Sequence, residues 1–400
     1  MIKYSRICAG LFTALFAVSV LMWVCSAFTD RKETSVLENR ALETFPAAEP
    51  STFFAGTFQD QLEEALGDHL AGSERIRALV RNLQASALSA GQQFLYELEP
   101  ALRSGYTQLS EGYYTYDGDE HRIVEKPEEL PFPAQQLTVF AEELKQASVP
   151  VVLYFVQNSR TIDFDHPGEN ESTYSQILAA FANAGLTPAA CGEFSFPDYH
   201  EYCQWFYQTD HHWNNRGSYR GYREIIELMG KGEPVPAGEE VEFPFVFNGS
   251  YARQTNRLCA DEPFRVYSFD LPQYTVTMNG KRGKYGRADA YLKGRYETEP
   301  LTNHYANYYG GEYGEIVYDF GTDDKGTLLM IASSYSNPIN ALTASHFDRT
   351  IVVDPRYWEA WTGKPFDPKE EAAAWNADII LLLGDIRLFT VDLIGEGGAD

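Results

Sequence analysis

The chain has 400 residues, of which 44% are hydrophobic and 22% are charged, close to the average for globular proteins. This composition excludes a mostly disordered chain, and the length allows one large α/β domain with insertions or several smaller domains. The 57 acidic residues outnumber the 32 basic residues, which leaves a formal net charge of −25. Such a chain repels phosphate backbones, so we expect no nucleic-acid partner.

The N-terminus carries a membrane-targeting segment. Residues 9–28 are uncharged and mostly apolar, and Lys3 and Arg6 precede them. As a helix this segment spans roughly 30 Å, the thickness of the hydrocarbon core. We interpret residues 1–28 as an uncleaved signal anchor, and the small residues Cys25-Ser26-Ala27 leave a cleaved signal peptide as the alternative. Both interpretations export residues 29–400 and predict an extracytoplasmic protein that is either membrane-anchored or secreted.

Helices dominate the first part of the exported chain. After a polar linker at residues 30–50, apolar residues at every fourth position predict a helix from Ser51, and a second helix is predicted at Ser73–Ser89. A strand-turn-strand pattern follows at Tyr106–Tyr116. We therefore treat residues 29–125 as an N-terminal helical and hairpin region.

Strands and helices then alternate. The predicted strands are continuous apolar runs, as expected for parallel strands that are buried on both faces: Val151–Phe155, Leu328–Ile331, Ile351–Val353 and Ile379–Leu383. The predicted helices between and around them are Ala134–Ala147, Glu171–Ala184, Gly217–Met229, Asn337–His346 and Lys369–Ala374. This order predicts the α/β class, with helices on both faces of a mostly parallel sheet. Between about residues 232 and 320, alternating runs such as Tyr274–Met278 predict an antiparallel β insertion.

Three cysteines follow the apolar segment: Cys191, Cys203 and Cys259. An exported compartment permits disulfides. Because Cys191 and Cys203 flank a short segment, a bridge between them is the first expectation. A Cys203–Cys259 bridge and free thiols throughout are the alternatives.

One short motif suggests chemistry. Asp210-His211-His212-Trp213 stands before a predicted helix. In an extended segment alternate side chains share a face, which places Asp210 and His212 on one side and His211 and Trp213 on the other. A carboxylate beside a histidine is the orienting half of a hydrolytic triad. A capping aspartate with two packed histidines, or a metal-binding pair, are the alternatives. The spacing suggests no third ligand, so we predict no metal and no cofactor.

Ser334 is the candidate nucleophile. It follows the predicted strand Leu328–Ile331, and ligands of open α/β sheets bind beyond the carboxyl ends of the strands. Backbone N–H groups at such a turn can stabilise an oxyanion. Ser336, further into the turn, fits a helix-capping role better.

Several motifs together resemble the DHHW proteins, which are exported bacterial proteins related to the alginate O-acetylation proteins and to SGNH-type hydrolases. The resemblance covers nearly the whole exported part. It rests on Glu38-Asn39-Arg40-Ala41-Leu42 with Phe45-Pro46, on Asp210-His211-His212-Trp213, on Asn248-Gly249-Ser250, on Tyr305–Gly311, and on Ser334-Tyr335 with Asn337, Asp354 and Arg356-Tyr357.

The resemblance implies an SGNH-hydrolase-like three-layer α/β/α fold with a Ser334-His212-Asp210 triad. The oxyanion or substrate would be bound by the backbone N–H of Tyr335 and by Asn337, Gly249 and Arg356. The implied function is an O-acyltransferase or acylesterase that acts on O-acetyl groups of cell-envelope or extracellular polysaccharide. The implied partners are an acylated glycan and a membrane protein that exports acyl groups.

There is one departure from the family pattern. The serine of these proteins usually follows an aspartate, and Ser333 stands at that position here. This replacement keeps open the alternative of a catalytically silent glycan-binding or assembly protein of the cell envelope.

Overall fold

The computed structural model describes Thr13 and residues 34–35, 40–47, 57–69, 73–99, 102–127, 132–168, 172–311 and 313–394. Most of the apolar segment 9–28, the Glu38-Asn39 pair and the predicted start of the first helix lie outside these residues. Among the residues that the structure describes, no helix combines the length and the apolar character that a membrane crossing requires.

The strands fall into one large sheet and three small ones. In chain order they are β1 (Thr34–Ser35), β2 (Arg40–Ala41), β3 (Tyr106–Ser110), β4 (Tyr113–Tyr116), β5 (Asp119–Glu125), β6 (Val151–Val156), β7 (Ala190–Phe194), β8 (Glu240–Val246), β9 (Pro263–Tyr267), β10 (Thr275–Met278), β11 (Lys281–Gly283), β12 (Glu315–Asp319), β13 (Thr327–Ala332), β14 (Arg349–Val353) and β15 (Ile379–Gly384).

Helices lie on both faces of the large sheet and beside the small sheets. In chain order they are α1 (Thr57–His69), α2 (Ser73–Leu98), α3 (Ala134–Gln146), α4 (Thr173–Asn183), α5 (Tyr199–Trp205), α6 (Asn215–Met229), α7 (Ser250–Thr255), α8 (Ala288–Leu292), α9 (His304–Tyr309), α10 (Asn340–Ala344), α11 (Pro355–Thr362) and α12 (Pro368–Trp375), with a 3₁₀ helix at Ser334–Ile339 and a π-helical turn at Leu388–Asp392.

The large sheet confirms the predicted fold class. It has eight strands in the order β11-β10-β12-β14-β13-β15-β6-β7. The four predicted apolar strands are consecutive neighbours, β14-β13-β15-β6, and each pair is parallel. β7 adds a fifth parallel strand at one edge, whereas β12, β10 and β11 continue the other edge in antiparallel pairings.

Both faces of the sheet are buried, which explains the uninterrupted apolar runs. In β13, Leu328, Met330 and Ala332 face one core cluster, which includes residues of α5, α6 and α10. Leu329 and Ile331 face the other, which includes residues of α3, α4, α11 and α12. Because β13 is packed on both faces, the residues that follow its carboxyl end have a well-defined position.

The segment predicted as an antiparallel insertion is divided between two places. β8 and β9 form a separate antiparallel pair with α7 between them. β10, β11 and β12 instead extend the central sheet. Antiparallel pairing accounts for the alternating pattern of both parts, since one face of such strands is less buried than the other.

Three predicted elements differ in extent or form in the structure. The second helix runs to Leu98 rather than Ser89, because residues 90–98 include strong helix formers and Pro100 comes only after them. The helix predicted at Asn337–His346 is a 3₁₀ helix that contains Pro338, followed by the short α10. The pattern around Tyr106–Tyr116 has a third strand, β5, which pairs with β4.

The expected disulfide is wrong, because Cys191, Cys203 and Cys259 are all free thiols. Cys191 on β7 lies beside the Tyr174 hydroxyl of α4, on one side of the sheet. Cys203 of α5 packs into the core cluster on the other side. The sheet thus separates the two sulfur atoms, although they are close in sequence.

Candidate active site

Ser334 lies at the carboxyl end of the central strand β13, as the first residue of the 3₁₀ helix. Backbone hydrogen bonds form the turn. The N–H of Ser333 donates to the Leu383 carbonyl on neighbouring β15 at 3.2 Å, and the N–H of Ser336 donates to the Ser333 carbonyl at 3.0 Å. The hydroxyl of Ser334 is therefore presented at the edge of the sheet where α/β proteins bind ligands.

The Asp210-His212 segment connects α5 to α6. The Nδ1 atom of His212 lies 2.6 Å from Oδ1 of Asp210, and the backbone N–H of His212 donates to the same oxygen at 3.0 Å. The second oxygen, Oδ2, accepts from the backbone N–H of Ser250 at 2.6 Å. Asp210 is only 2% exposed, so its carboxylate is held in one orientation by these donors.

The two halves of the site meet at Ser334. The Nε2 atom of His212 lies 2.8 Å from the Ser334 Oγ atom, although the residues are 122 positions apart in the chain. A continuous path of contacts therefore runs from the Asp210 carboxylate through the imidazole to the serine hydroxyl. This is the geometry in which an imidazole can accept a hydroxyl proton while a carboxylate orients it.

Aromatic side chains hold the imidazole and the serine turn together. The Tyr305 ring stacks on the His212 ring at 3.9 Å between centroids, with 13° between the planes. Its hydroxyl donates to the Ser334 carbonyl at 2.9 Å. The indole Nε1 of Trp213 donates to the Tyr335 carbonyl at 3.0 Å. The segment Tyr305–Gly311 contributed to the family resemblance, but its sequence does not indicate that Tyr305 contacts His212 and Ser334.

The sequence also explains how Trp213 fits beneath the site. Asn214 caps α6 by accepting from the N–H groups of Arg216 and Gly217, so the helix starts directly after the motif. A Cβ atom at Gly221 would lie 2.5 Å from the Trp213 ring. Glycine at this position of α6 therefore leaves the space in which the buried indole packs.

The expected orientation of His211 is wrong. Its ring lies 3.9 Å from the His212 ring, and its Nδ1 atom is 3.7 Å from Oδ1 of Asp210 and 2.9 Å from the Ser250 hydroxyl. The segment is a bend rather than an extended strand, because the Asp210 side chain accepts from the backbone two residues later. Both histidines therefore face the same cavity.

The electrostatic environment supports an ionised Asp210 beside a neutral His211. Burial by itself would raise the pKa of Asp210, but its interactions with His212 and His211, including the hydrogen bond from His212, hold that pKa well below its usual value. Burial is the main cause that lowers the pKa of His211 well below its usual value. A permanent negative charge thus stands behind the imidazole of His212.

The predicted oxyanion residues lie at the turn. The Tyr335 side chain is buried, donates to the His211 carbonyl at 2.6 Å and accepts from Asn158 Nδ2 at 2.8 Å. The amide of Asn337 donates to the Gly310 carbonyl and accepts from the Tyr285 hydroxyl, both at 2.9 Å. These contacts fix the peptide that follows Ser334, and the role of its N–H group as an oxyanion donor stays a prediction.

Gly249 and Arg356 have different places. Gly249 lies behind Asp210, where a Cβ atom would be 2.7 Å from Cγ of Asp210 and closer still to its Cβ and Oδ2 atoms. It therefore admits the carboxylate, and it does not line the cavity. Arg356 does line the cavity, and its guanidinium donates to both carboxylate oxygens of Asp354 at 2.9 and 2.5 Å.

A cavity of about 150 Å³ opens over Ser334 and His212. Its lining also includes Tyr313, Asp354 and Tyr357. A larger cavity of about 630 Å³ shares Tyr285 and Asn337 with it. The side chains of Tyr285 and Asn337, which are hydrogen-bonded to each other, thus lie between the two cavities.

The same motif offers a possible set of metal ligands, since atoms of Asp210, His211 and His212 lie within 4.8 Å of one another. Each of those side chains already has a hydrogen-bonding partner: Asp210 bonds to His212, His212 to Ser334, and His211 to Ser250. A cation would have to replace the Asp210–His212 contact. The arrangement therefore fits proton transfer better than metal binding.

Comparison with solved structures identifies the class of fold. No protein-family model and no curated protein matches the chain. A DHHW family protein from Eubacterium siraeum DSM 15702 is 17% identical over 72% of this chain and 96% of that chain, with a TM-score of 0.52. Bacillus cereus PatB1 with a sulfonyl adduct is 17% identical over 69% of this chain and 96% of that chain, with a TM-score of 0.50.

The chain therefore has the fold of a DHHW family protein, as its motifs implied. The O-acetyltransferase domain of Pseudomonas putida AlgJ is also similar, 14% identical over 72% of this chain and 93% of that chain. Its TM-score of 0.36 is too low to support an argument. At these identities the likeness concerns the fold alone.

Proposed function

We propose that the protein is an exported O-acyltransferase or acylesterase that acts on O-acetyl groups of cell-envelope or extracellular polysaccharide. The observation that carries this proposal is the contact path Asp210–His212–Ser334, with distances of 2.6 and 2.8 Å. A buried serine turn, an oriented imidazole and an adjoining cavity are what nucleophilic acyl transfer requires.

In the first half of the reaction, the Ser334 oxygen attacks the carbonyl carbon of an acetyl ester. His212 accepts the hydroxyl proton at Nε2, while Asp210 holds the ring through Nδ1 and stabilises the imidazolium that forms. The tetrahedral intermediate collapses when the bond to the leaving oxygen breaks. His212 returns the proton to that oxygen, so an alcohol leaves and an acetyl-Ser334 ester remains.

In the second half, a hydroxyl group attacks the acetyl-serine carbonyl. His212 takes the proton of the attacking hydroxyl and gives it to the Ser334 oxygen as the acyl bond breaks. If the attacking group is a sugar hydroxyl the result is O-acetyl transfer, and if it is water the result is ester hydrolysis. The cavity walls, which include Tyr313 and Tyr357, offer aromatic faces against which a sugar ring can pack.

The catalytically silent alternative rests on Ser333, whose buried hydroxyl makes no hydrogen bond. An aspartate at this position would add a charged acceptor to the turn. The turn nevertheless keeps its backbone hydrogen bonds to Leu383 and from Ser336, and the Ser334 carbonyl accepts from Tyr305. We therefore favour the enzymatic function and treat silent glycan binding as the outcome that an assay can establish.

Export and partners belong to the same proposal. The apolar residues 9–28 would carry the remainder of the chain to the outside and either anchor it in the membrane or be removed. The substrate would be a polysaccharide or another acylated glycan. A membrane protein that supplies acyl groups from the cytoplasm would be needed for transfer, because acyl donors are made inside the cell.

The test is ester turnover by the purified full-length chain. Wild-type protein should release acetate from a chromogenic acetyl ester and from acetylated glycans. Ser334→Ala should lose this activity, while Ser86→Ala, the same change on the surface of helix α2, should retain it. Circular dichroism should show that both variants are folded. If a folded Ser334→Ala variant turns over the ester as fast as the wild type, Ser334 is not the nucleophile. If the wild type itself has no activity, the silent alternative replaces the enzymatic one.

A further inference from the structure

A second group of reactive side chains lies outside the cavity at Ser334. A ring nitrogen of His121, the sulfur of Cys259 and a carboxylate oxygen of Asp261 all lie within 4.8 Å of one another. We refer to these three residues as the His-Cys-Asp cluster. None of them lines the cavity of the triad, and the function proposed above does not use them.

The spacing within the cluster is that of ligands around a small cation. The Cys259 Sγ atom is 3.5 Å from Oδ1 of Asp261 and 3.4 Å from Oε1 of Gln208. In a tetrahedral zinc site, with a Zn–S bond of ~2.3 Å and a Zn–O bond of ~2.1 Å, the sulfur-to-oxygen edge is about 3.6 Å. Each oxygen therefore already lies at about the distance from the sulfur that a shared cation requires.

The backbone around the cluster is held in place by its own hydrogen bonds. The N–H of Cys259 donates to Oδ1 of Asn248 at 2.7 Å. Strand β5, which carries His121, is joined to the Gln208 segment through the N–H of Ile123, which donates to the Gln208 carbonyl at 2.8 Å. The parts of the chain that supply the four candidate ligands are thus already connected.

We propose that the His-Cys-Asp cluster binds one divalent transition-metal cation of the zinc type, with Oε1 of Gln208 as the fourth ligand. A mixed sulfur, nitrogen and oxygen donor set suits Zn²⁺ rather than Mg²⁺ or Ca²⁺, which prefer oxygen alone. On binding, the Cys259 thiol loses its proton to solvent and forms a thiolate-metal bond, so each cation bound releases one proton from sulfur.

The contacts of the sulfur agree with this chemistry. The Cys259 Sγ atom lies within hydrogen-bond distance of oxygens of both Gln208 and Asp261. A cation bound to the thiolate would face the same two oxygens.

The position of the cluster suggests a structural role. The residue after Asp261 is Glu262, whose buried carboxylate accepts from the N–H and the hydroxyl of Thr209 at 3.0 and 2.7 Å. Thr209 directly precedes Asp210. A cation at the cluster would therefore fasten the loop that supports the Asp210-His212 segment. This inference does not rest on the proposed acyl transfer, and a silent protein could hold the same cation.

Cobalt provides a direct probe, because Co²⁺ takes zinc sites and absorbs in the near ultraviolet when a thiolate ligates it. Full-length protein freed of metal with a chelator should bind one equivalent of Co²⁺ with this absorption, and Zn²⁺ should abolish it. Cys259→Ser should lose the absorption. His121→Ala and Asp261→Ala should each weaken the affinity by at least about tenfold.

Matched control variants show whether the cobalt absorption comes from the His-Cys-Asp cluster or from other side chains. Cys191→Ser and Cys203→Ser change the other two described thiols and should keep the cobalt absorption. His211→Ala disturbs the alternative ligand group at the triad and should keep it as well. Absorption that persists in Cys259→Ser would overturn the proposal, as would its absence from the wild type.

A second measurement needs no variant and so does not depend on variant folding. At a Zn²⁺ concentration of about 100 Kd, alkylation of Cys259 by iodoacetamide should slow about 100-fold, because only the metal-free fraction reacts. Alkylation of the exposed Cys191 should not change. Peptide mass spectrometry distinguishes the two sites. Equal alkylation of Cys259 with and without Zn²⁺ would overturn the proposal.

Discussion

Gly249 offers a sharp test of the proposed triad, because only a residue without a Cβ atom lets the chain pass so close to Asp210. Its φ of −82° is open to any residue, so an alanine there causes no backbone strain. The added Cβ atom would lie 2.3 Å from Cβ and 2.7 Å from Cγ of Asp210, whereas ordinary contacts begin at 3.4 Å. The Asp210 side chain must then shift by about 1 Å, which disturbs its contact with His212.

The magnitude follows from the geometry. The hydrogen bond between Asp210 and His212 is only 2.6 Å long, and Ser250 holds the other oxygen at 2.6 Å, so neither can absorb the movement unchanged. A misplacement of about 1 Å in a catalytic group costs on the order of 10²-fold in rate, and loss of the aspartate function costs on the order of 10⁴-fold. We expect Gly249→Ala to lower kcat by about 10²- to 10³-fold.

The assay is turnover of a chromogenic acetyl ester by full-length variants, compared with Asp210→Asn. Gly91→Ala is the matched control, because a Cβ atom at that helical glycine meets no atom within 4 Å. That control should keep wild-type turnover and gain a little helix stability, about 0.5–1 kcal/mol. If folded Gly249→Ala stays within about threefold of wild-type kcat, the position of the Asp210 carboxylate does not matter, and the triad mechanism is refuted.

Four further predictions address the same site. Ser334→Ala and His212→Ala should be about equally inactive in ester turnover, and the double variant hardly worse, because they act as one unit; additive losses would contradict this. His211→Ala should lower kcat by about tenfold, since the ring contacts Asp210; an unchanged kcat would place His211 outside the mechanism. Tyr305→Phe should lower the free energy of unfolding, measured with urea, by about 0.5–1.5 kcal/mol, because the partly buried Ser334 carbonyl loses its donor; an unchanged value would show that this hydrogen bond does not stabilise the fold. Burial raises the pKa of Glu262 to about 7, so the folded state keeps this proton to higher pH than the unfolded state. Between about pH 4.5 and 7 the stability of the wild type relative to Glu262→Gln should therefore fall, by up to about 3 kcal/mol, and a pH-independent difference would show that Glu262 does not titrate.

The central sheet was largely predictable from sequence. A strand such as Leu328–Ile331, buried on both faces, needs apolar residues at every position, and that requirement is visible in a short window. The small antiparallel strands were less visible. Their alternating pattern is the same whether a strand joins the main sheet, as Thr275–Met278 does, or a separate pair, as Pro263–Tyr267 does.

The candidate site was predictable in its residue types but not in all of its directions. Asp210 and His212 stand out because they lie in one short motif, and Ser334 stands out because it follows a buried strand. Together a carboxylate, an imidazole and a hydroxyl group can perform nucleophilic acyl transfer. The direction of His211 was missed because it depends on a bend that the Asp210 side chain itself stabilises. A rule of alternating faces holds only when the backbone is extended.

By itself, then, the sequence determined the class of fold and the residues that could react. Apolar periodicity and side-chain chemistry are local properties, and they need no knowledge of distant contacts. Only the tertiary structure decided that His212 and Ser334 lie 2.8 Å apart, that Gly249 admits the Asp210 carboxylate and that Cys191 and Cys203 stay apart. Those facts depend on how α7 and the central sheet with β13 pack together. Packing brings together residues that are far apart in the chain, and the sequence around each residue does not indicate its distant partner.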